Sequence, residues 1–383
     1  MEWDLTVIRF CARFPVYNIY VVYNMQYMVT KHFTPSVPTK WPGEVTKNCD
    51  AVMTDFEGNV CILKTERTDD LVGGRPLRKI SEKIHVCSST GVKHTIELEG
   101  LNDKLNLDMH FSYGVAVGPS GKIFVVDFQK SRILRFGNSG KFERVFGNQH
   151  LSHPRDIAVD MWGQVFVADT SNHRIAVFDE EGFFKRAIGR EGIFERAFGR
   201  GPHEQGVLYY PEGVAVDLDG NVFVADSGNN RISVFDKNGD YVRTLAVGSC
   251  ELKGPTSVTV DRAGHVFVAD SMNYRVVVFT WFPDTPNGVF VGSLKTKSQP
   301  GKVAVDWVGN VFVIPAVLKD HMILFDKPMK RIEEVENKKT ARNELFRKGM
   351  LKKRGWNDDV LNKIIVHVPG VTFEEAAGPG RVI

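Results

Sequence analysis

Apolar residues along this chain come in short runs broken by turn-forming residues, with no sustained helical spacing before residue 327. The stretch Val214 to Phe235 reads VAVDLDGNVFVADSGNNRISVF. Val214-Ala215-Val216 is short and β-branched, and Asp217 to Gly220 supplies turn chemistry. Val222 to Ala225 is apolar on both faces, as a strand sandwiched between neighbouring sheets requires. Asn229-Asn230 turns the chain again, Ile232 to Phe235 makes a third strand, and Lys237-Asn238-Gly239 is a hairpin turn leading into a fourth, Tyr241 to Ala246.

The template recurs. Close copies begin at Ile157, Val258 and Val115, a shorter one at Val303, and one with a long internal insertion at Ala51. The glycine of the first turn falls at Gly58, Gly121, Gly163, Gly220, Gly264 and Gly309, with spacings of 63, 42, 57, 44 and 45 residues. Four strands in each such unit, six times over, predict an all-β six-bladed β-propeller.

The two long spacings have visible sources. Lys64 to Glu82 is a polar insertion expected as a loop between strands two and three of the first blade. EGFFKRAIGR at 181–190 is followed by EGIFERAFGR at 191–200, seven of ten positions being identical, so a fourth strand is expected in duplicate. The sixth blade has apolar runs for three strands only. An open ring would expose strand edges, and Val16 to Tyr23 is the expected closing strand. The chain thus divides into an extension at 1–45, the propeller at 46–326 and a basic, helix-like tail at 327–383. Lys327 to Arg354 holds eleven Lys/Arg against four Glu, a net of +7.

Composition narrows the picture modestly. The 383 residues carry a net charge of +3, which leaves −4 for the rest of the chain once that basic segment is set aside. The propeller itself therefore binds nucleic acid strongly only if its charge is polarised to one face. Five scattered cysteines with no CxxC pair, and no Asn-x-Ser/Thr sequon, point to a reducing, cytoplasmic setting. The charge-free run Phe14 to Thr30 is 17 residues long and holds four tyrosines and a proline, so neither a membrane span nor a membrane partner is expected.

Pro211-Glu212-Gly213-Val214-Ala215-Val216-Asp217 and Asn230-Arg231-Ile232-Ser233-Val234-Phe235 resemble the repeat of the NHL family. The pattern fits four blades well and two in degenerate form, over about residues 46–326. Among its members the tripartite-motif type is most similar. That resemblance implies a propeller that binds single-stranded or stem-loop RNA, or protein partners, in post-transcriptional control. The RING, B-box and coiled-coil parts of that type are absent, so ubiquitin-ligase activity is not implied.

Two sets of residues carry candidate chemistry. Asp127/Arg132, Asp169/Arg174, Asp226/Arg231 and Asp270/Arg275 recur at five-residue separation. They read either as a ring of arginines for phosphates or as ties between a strand end and the adjacent turn. Recurrence favours the tie, because a binding site rarely needs one equivalent contact per blade. The second set is where the blades differ. The loops joining successive blades and those joining strands two and three share one face of a propeller. There the sequence offers Tyr113, Lys130, His153, Arg155, Asn172, His173, Tyr210, Asn230 and Tyr274. Aromatic faces beside cations and amides suit single-stranded nucleic acid, and an ordinary polar loop surface is the plainer alternative.

His110, His153, His173 and His203 on the same face raise a zinc reading, since peptidylglycine amidating lyase is a six-bladed propeller of similar repeats. The cysteine-containing loop of that enzyme has no counterpart at Asn172-His173-Arg174. No cofactor, metal, small-molecule substrate or catalysis is expected. The reading is a recognition module, for RNA first and as a protein-interaction scaffold second.

Overall fold

The computed structural model describes residues 49–72, 75–88, 91–98, 114–189, 205–245, 251–281, 289–316 and 322–325. The first blade consists of β1 (Ala51–Thr54), β2 (Val60–Val72), β3 (Arg75–Ser88) and β4 (Gly91–Glu97). The second has β5 (Val115–Val117), β6 (Ile123–Asp127), β7 (Arg132–Phe136) and β8 (Phe142–Phe146). The third has β9 (Asp156–Val159), β10 (Val165–Asp169), β11 (Arg174–Phe178) and β12 (Phe184–Ile188). The fourth has β13 (Pro211–Val216), β14 (Val222–Asp226), β15 (Arg231–Phe235) and β16 (Tyr241–Thr244). The fifth has β17 (Pro255–Val260), β18 (His265–Asp270), β19 (Arg275–Thr280) and β20 (Val289–Lys295). The sixth has β21 (Pro300–Val305), β22 (Val311–Pro315) and β23 (Ile323–Phe325). Each blade is an antiparallel meander in sequence order, so the protein is a six-bladed β-propeller.

The turn between the first two strands explains the Asp-x-x-Gly signature. In the fourth blade Asp217 Oδ1 accepts the N–H groups of Asp219 (3.0 Å) and Asn221 (2.8 Å), while its Oδ2 accepts the Asn221 amide at 2.8 Å. Gly220 follows at φ +86°, a conformation that L side chains resist. Asp55, Asp160 and Asp306 make the same bonds to their own turns, and at Asp261 the His265 imidazole stands where the others have an amide.

Buried apolar side chains form six clusters, one at each junction between successive sheets. Between the third and fourth blades, Phe166 and Val177 meet Val214, Val224 and Phe235. The junction that closes the ring packs Val52, Val60, Ile62 and Cys87 of the first blade on Ala304, Phe312 and Ile314 of the sixth. Thr54 Oγ1 also donates to Val305 O across it, at 2.6 Å. The expected closing strand at 16–23, the second copy of the duplication at 191–200 and the tail at 327–383 lie outside the described residues.

One expectation is corrected. Residues 64–82 are not a loop: β2 and β3 continue through them as a two-stranded ribbon, paired from Val60↔Cys87 to Val72↔Arg75. Polar side chains hid the strands because period-two patterning marks only a sheet with one buried face. The Gly73-Gly74 dipeptide between the two strands is the hairpin signal that was legible.

Candidate recognition face

Strand register fixes what shares a face. Asp169↔Arg174 lies at one end of the third blade and Val165↔Val159 at the other. The inter-blade loops and the turns joining strands two and three therefore form one face, called upper here, and the remaining turns form the lower face.

Each Asp/Arg pair is built into its own blade. Asp169 is fully buried. Its Oδ2 accepts from Arg174 Nε (2.8 Å) and Asn172 Nδ2 (2.9 Å), and its Oδ1 accepts the Ser152 N–H at 2.7 Å. Arg174 Nη2 then donates to His150 O at 2.7 Å. Asp226 with Arg231 and Asn229, and Asp270 with Arg275 and Asn273, repeat the arrangement, binding the Tyr209 and Lys253 N–H groups. In the second blade Asp127 takes Arg132 Nε at 2.8 Å and the Lys130 N–H at 3.1 Å. The aspartate thus pins the incoming loop to the turn, and its carboxylate is compensated by directed donors. Burial pushes the Asp226 carboxyl above the ordinary range, and its hydrogen-bond donors and Arg231 pull the other way.

All six described non-glycine residues with positive φ lie on this upper face: Ser131, His153, His173, Tyr210, Asn230 and Tyr274, at φ between 46° and 56°. Such backbone favours Gly or Asn and costs other residues on the order of 1–2 kcal/mol. Three of them do a shared job. Ser131 Oγ accepts the His153 N–H (2.9 Å), His173 Nδ1 accepts the Tyr210 N–H (3.0 Å) and Asn230 Oδ1 accepts the Gly254 N–H (2.7 Å), each bond reaching the next blade. His173 and Asn230 are therefore connectors as well as surface groups. Tyr274 occupies the same slot and is 48% exposed, so its ring is presented to solvent.

The remaining candidates form two patches. His173 stacks on Tyr209 (centroids 4.9 Å apart) and meets Tyr210 edge-on at 4.4 Å, with Tyr210 itself exposed. Phe128 is flanked by His153, with centroids 5.2 Å apart, and by the Arg155 guanidinium at 5.2 Å. Arg155 also pairs with Glu212 at 3.7 Å. Asn172 is committed to Asp169 and the His150 carbonyl. Tyr113 lies outside the described residues, as do His110 and His203. Among the described residues no three His, Cys, Asp or Glu side chains cluster as metal ligands would.

Sequence reasoning missed a feature on the axis. The first strands of all six blades line a central cavity of about 440 Å³. At its upper end Lys302 of the sixth blade reaches across the axis to Asp156 of the third, Nζ to Oδ1 at 2.8 Å, and donates to the Arg155 carbonyl at 3.3 Å. Gly213 and Ser257 hold the equivalent position in the fourth and fifth blades. Asp156 Oδ2 accepts the Val214 N–H at 3.1 Å. Burial raises its carboxyl pKa, and Lys302 works against that rise. The signal was available, since Asp156 and Lys302 are the charged exceptions at a position held elsewhere by small residues.

Charge is polarised between the faces. The lower face has nine described five-residue turns: 55–59, 118–122, 137–141, 160–164, 179–183, 217–221, 236–240, 261–265 and 306–310. They carry twelve Asp/Glu against four Lys/Arg, a net of −8. The upper segments 49–50, 127–132, 147–156, 169–174, 205–213, 226–231, 251–257, 270–275 and 295–302 carry ten Lys/Arg against eight Asp/Glu, a net of +2.

Comparison with known proteins adds a repeat match. Residues 151–178, 208–235 and 252–279 match the family described as NHL repeat. No curated protein matches the sequence. Among solved structures, the chain is similar to one in the nidogen/laminin complex at 18% identity and TM-score 0.48, covering 69% of this chain and 92% of that one. A streptogramin B lyase is similar at 13% identity and TM-score 0.49, covering 73% and 94%. The virginiamycin B lyase of Staphylococcus aureus is similar at 12% identity and TM-score 0.48, covering 74% and 85%. Three of the blades thus carry sequence that matches the NHL repeat, within a ring of six sheets, five four-stranded and one with three described strands.

Proposed function

We propose that the upper face binds single-stranded RNA and that the protein acts as a non-enzymatic recognition module. The observation that carries this reading is the placement of Tyr210 and Tyr274. Both are exposed aromatic side chains held at left-handed backbone positions where the same repeat elsewhere uses Gly254 and Asn230. Left-handed backbone costs a tyrosine strain that Gly or Asn avoids, and an exposed ring held there suits a stacking platform for bases. The net positive charge of the surrounding loops, opposite a strongly acidic face, supplies phosphate attraction on one side only.

The test borrows each residue from a neighbouring blade. Tyr274→Asn and Tyr210→Gly keep the backbone conformation and remove the ring. In fluorescence-polarisation titrations of the full chain with short single-stranded RNAs, each should lose about 1–3 kcal/mol of affinity without lowering the melting temperature. Affinity should also fall as salt rises. Full retention of binding in the double variant would remove the face from consideration. An absence of RNA affinity in the parent at physiological salt would favour a protein partner, captured by the same loops.

A further inference from the structure

The lower face carries six exposed apolar side chains, Phe56, Met161, Trp162, Leu218, Trp307 and Val308, of which Phe56, Leu218, Trp307 and Val308 line the mouth of the channel. All six sit on the turns between the first and second strands. Trp162 and Trp307 are 59% and 49% exposed, yet both are held in place. Trp307 covers Gly58 of the first blade and lies under the Arg262 guanidinium, 3.4 Å from its ring centroid, and Trp162 leans over Gly220 of the fourth. Large apolar side chains grouped in exposed positions on one face mark a contact surface. Here it is embedded in the acidic face, with Glu57 and Asp219 exposed beside Phe56 and Leu218.

We propose that this mouth is the docking surface for the chain's own residues 327–354. Three observations select that occupant. Phe325, the last residue of β23, pairs with Val311 immediately after the turn that carries Trp307, so the chain leaves the ring at the lower face. The segment that follows carries +7, against −8 on the lower turns, while the upper loops are positive and would repel it. It also interleaves Ile332, Val335, Leu345, Phe346, Met350 and Leu351 with its lysines and arginines, the apolar complement to the mouth. Its 28 residues are ample for the distance, since even helical chain extends about 1.5 Å per residue.

The test uses the full chain, mixed as ¹⁴N- and ¹⁵N-labelled protein and treated with a zero-length carbodiimide, with cross-links read by mass spectrometry. Same-label links from lysines within 327–354 to Glu57 or Asp219, declining as salt rises, are the expected result. Mixed-label links would assign the surface to a second copy of the chain, and links to the upper face or none at all would also overturn the proposal. In a parallel arm, Leu218→Ser with Asp219→Lys should speed tryptic cleavage within 327–354 about tenfold by raising the undocked population, with an unchanged melting curve. An unchanged cleavage rate overturns the proposal equally.

Discussion

Asp226 is fully buried and takes the Tyr209 N–H, the Asn229 amide and Arg231 Nε within 2.8 Å. Truncating it strands a largely buried guanidinium and an unpaired loop N–H, which is costlier than losing an exposed ion pair. Asp226→Ala should therefore lose about 3–5 kcal/mol in urea unfolding, whereas His173→Asn, which preserves the acceptor used by Asn230, should be close to neutral. The buried thiols offer a second residue-scale test. Burial pushes Cys49 and Cys87 up to about 12. A raised folded value means their contribution to stability is intact below the unfolded value of about 8.5 and is lost as pH climbs through the folded one. Both should resist iodoacetamide at pH 8 in the native protein and react on unfolding, as peptide mass spectrometry will read.

The blade is the unit in which these residues act, and adjacent blades approach closely enough to constrain glycines. At Gly182, in the third blade, φ is +86° and a Cβ would stand 2.5 Å from Phe146 Cγ of the second. Phe146 cannot withdraw, because its ring packs edge-on against Phe124 and Phe178. Gly182→Ala combines backbone strain with a steric clash and should cost about 2–3 kcal/mol, measured by thermal melting. The β2–β3 ribbon is the contrasting element. The register of β1 with β2 covers Val60–Leu63, and the ribbon continues past it to Val72, so shortening it at 65–82 should leave the melting temperature nearly unchanged.

Over the whole molecule, Lys302 and Asp156 join opposite blades through the axis. Lys302→Met leaves Asp156 buried without its cation and should destabilise by about 3–5 kcal/mol, while adding Asp156→Asn should restore much of the loss. Near-additive single and double variants in denaturant unfolding would show that the pair does not couple the blades. The opposed charge of the two faces also belongs to this scale: a net of +3 over the chain conceals a face at −8.

The sequence by itself determined the number of blades, the four-stranded plan and the turns. These rest on local chemistry: an aspartate folding back on N–H groups two and four residues ahead, a glycine at positive φ, and apolar runs long enough for one strand. The Asp/Arg spacing was legible for the same reason, since both partners lie on one hairpin. Only the tertiary structure decided that Lys302 meets Asp156, 146 positions earlier in the chain, and that Trp307 rests on Gly58. Those contacts follow from ring closure, which brings distant first strands around one axis, and no local pattern encodes which of them face each other.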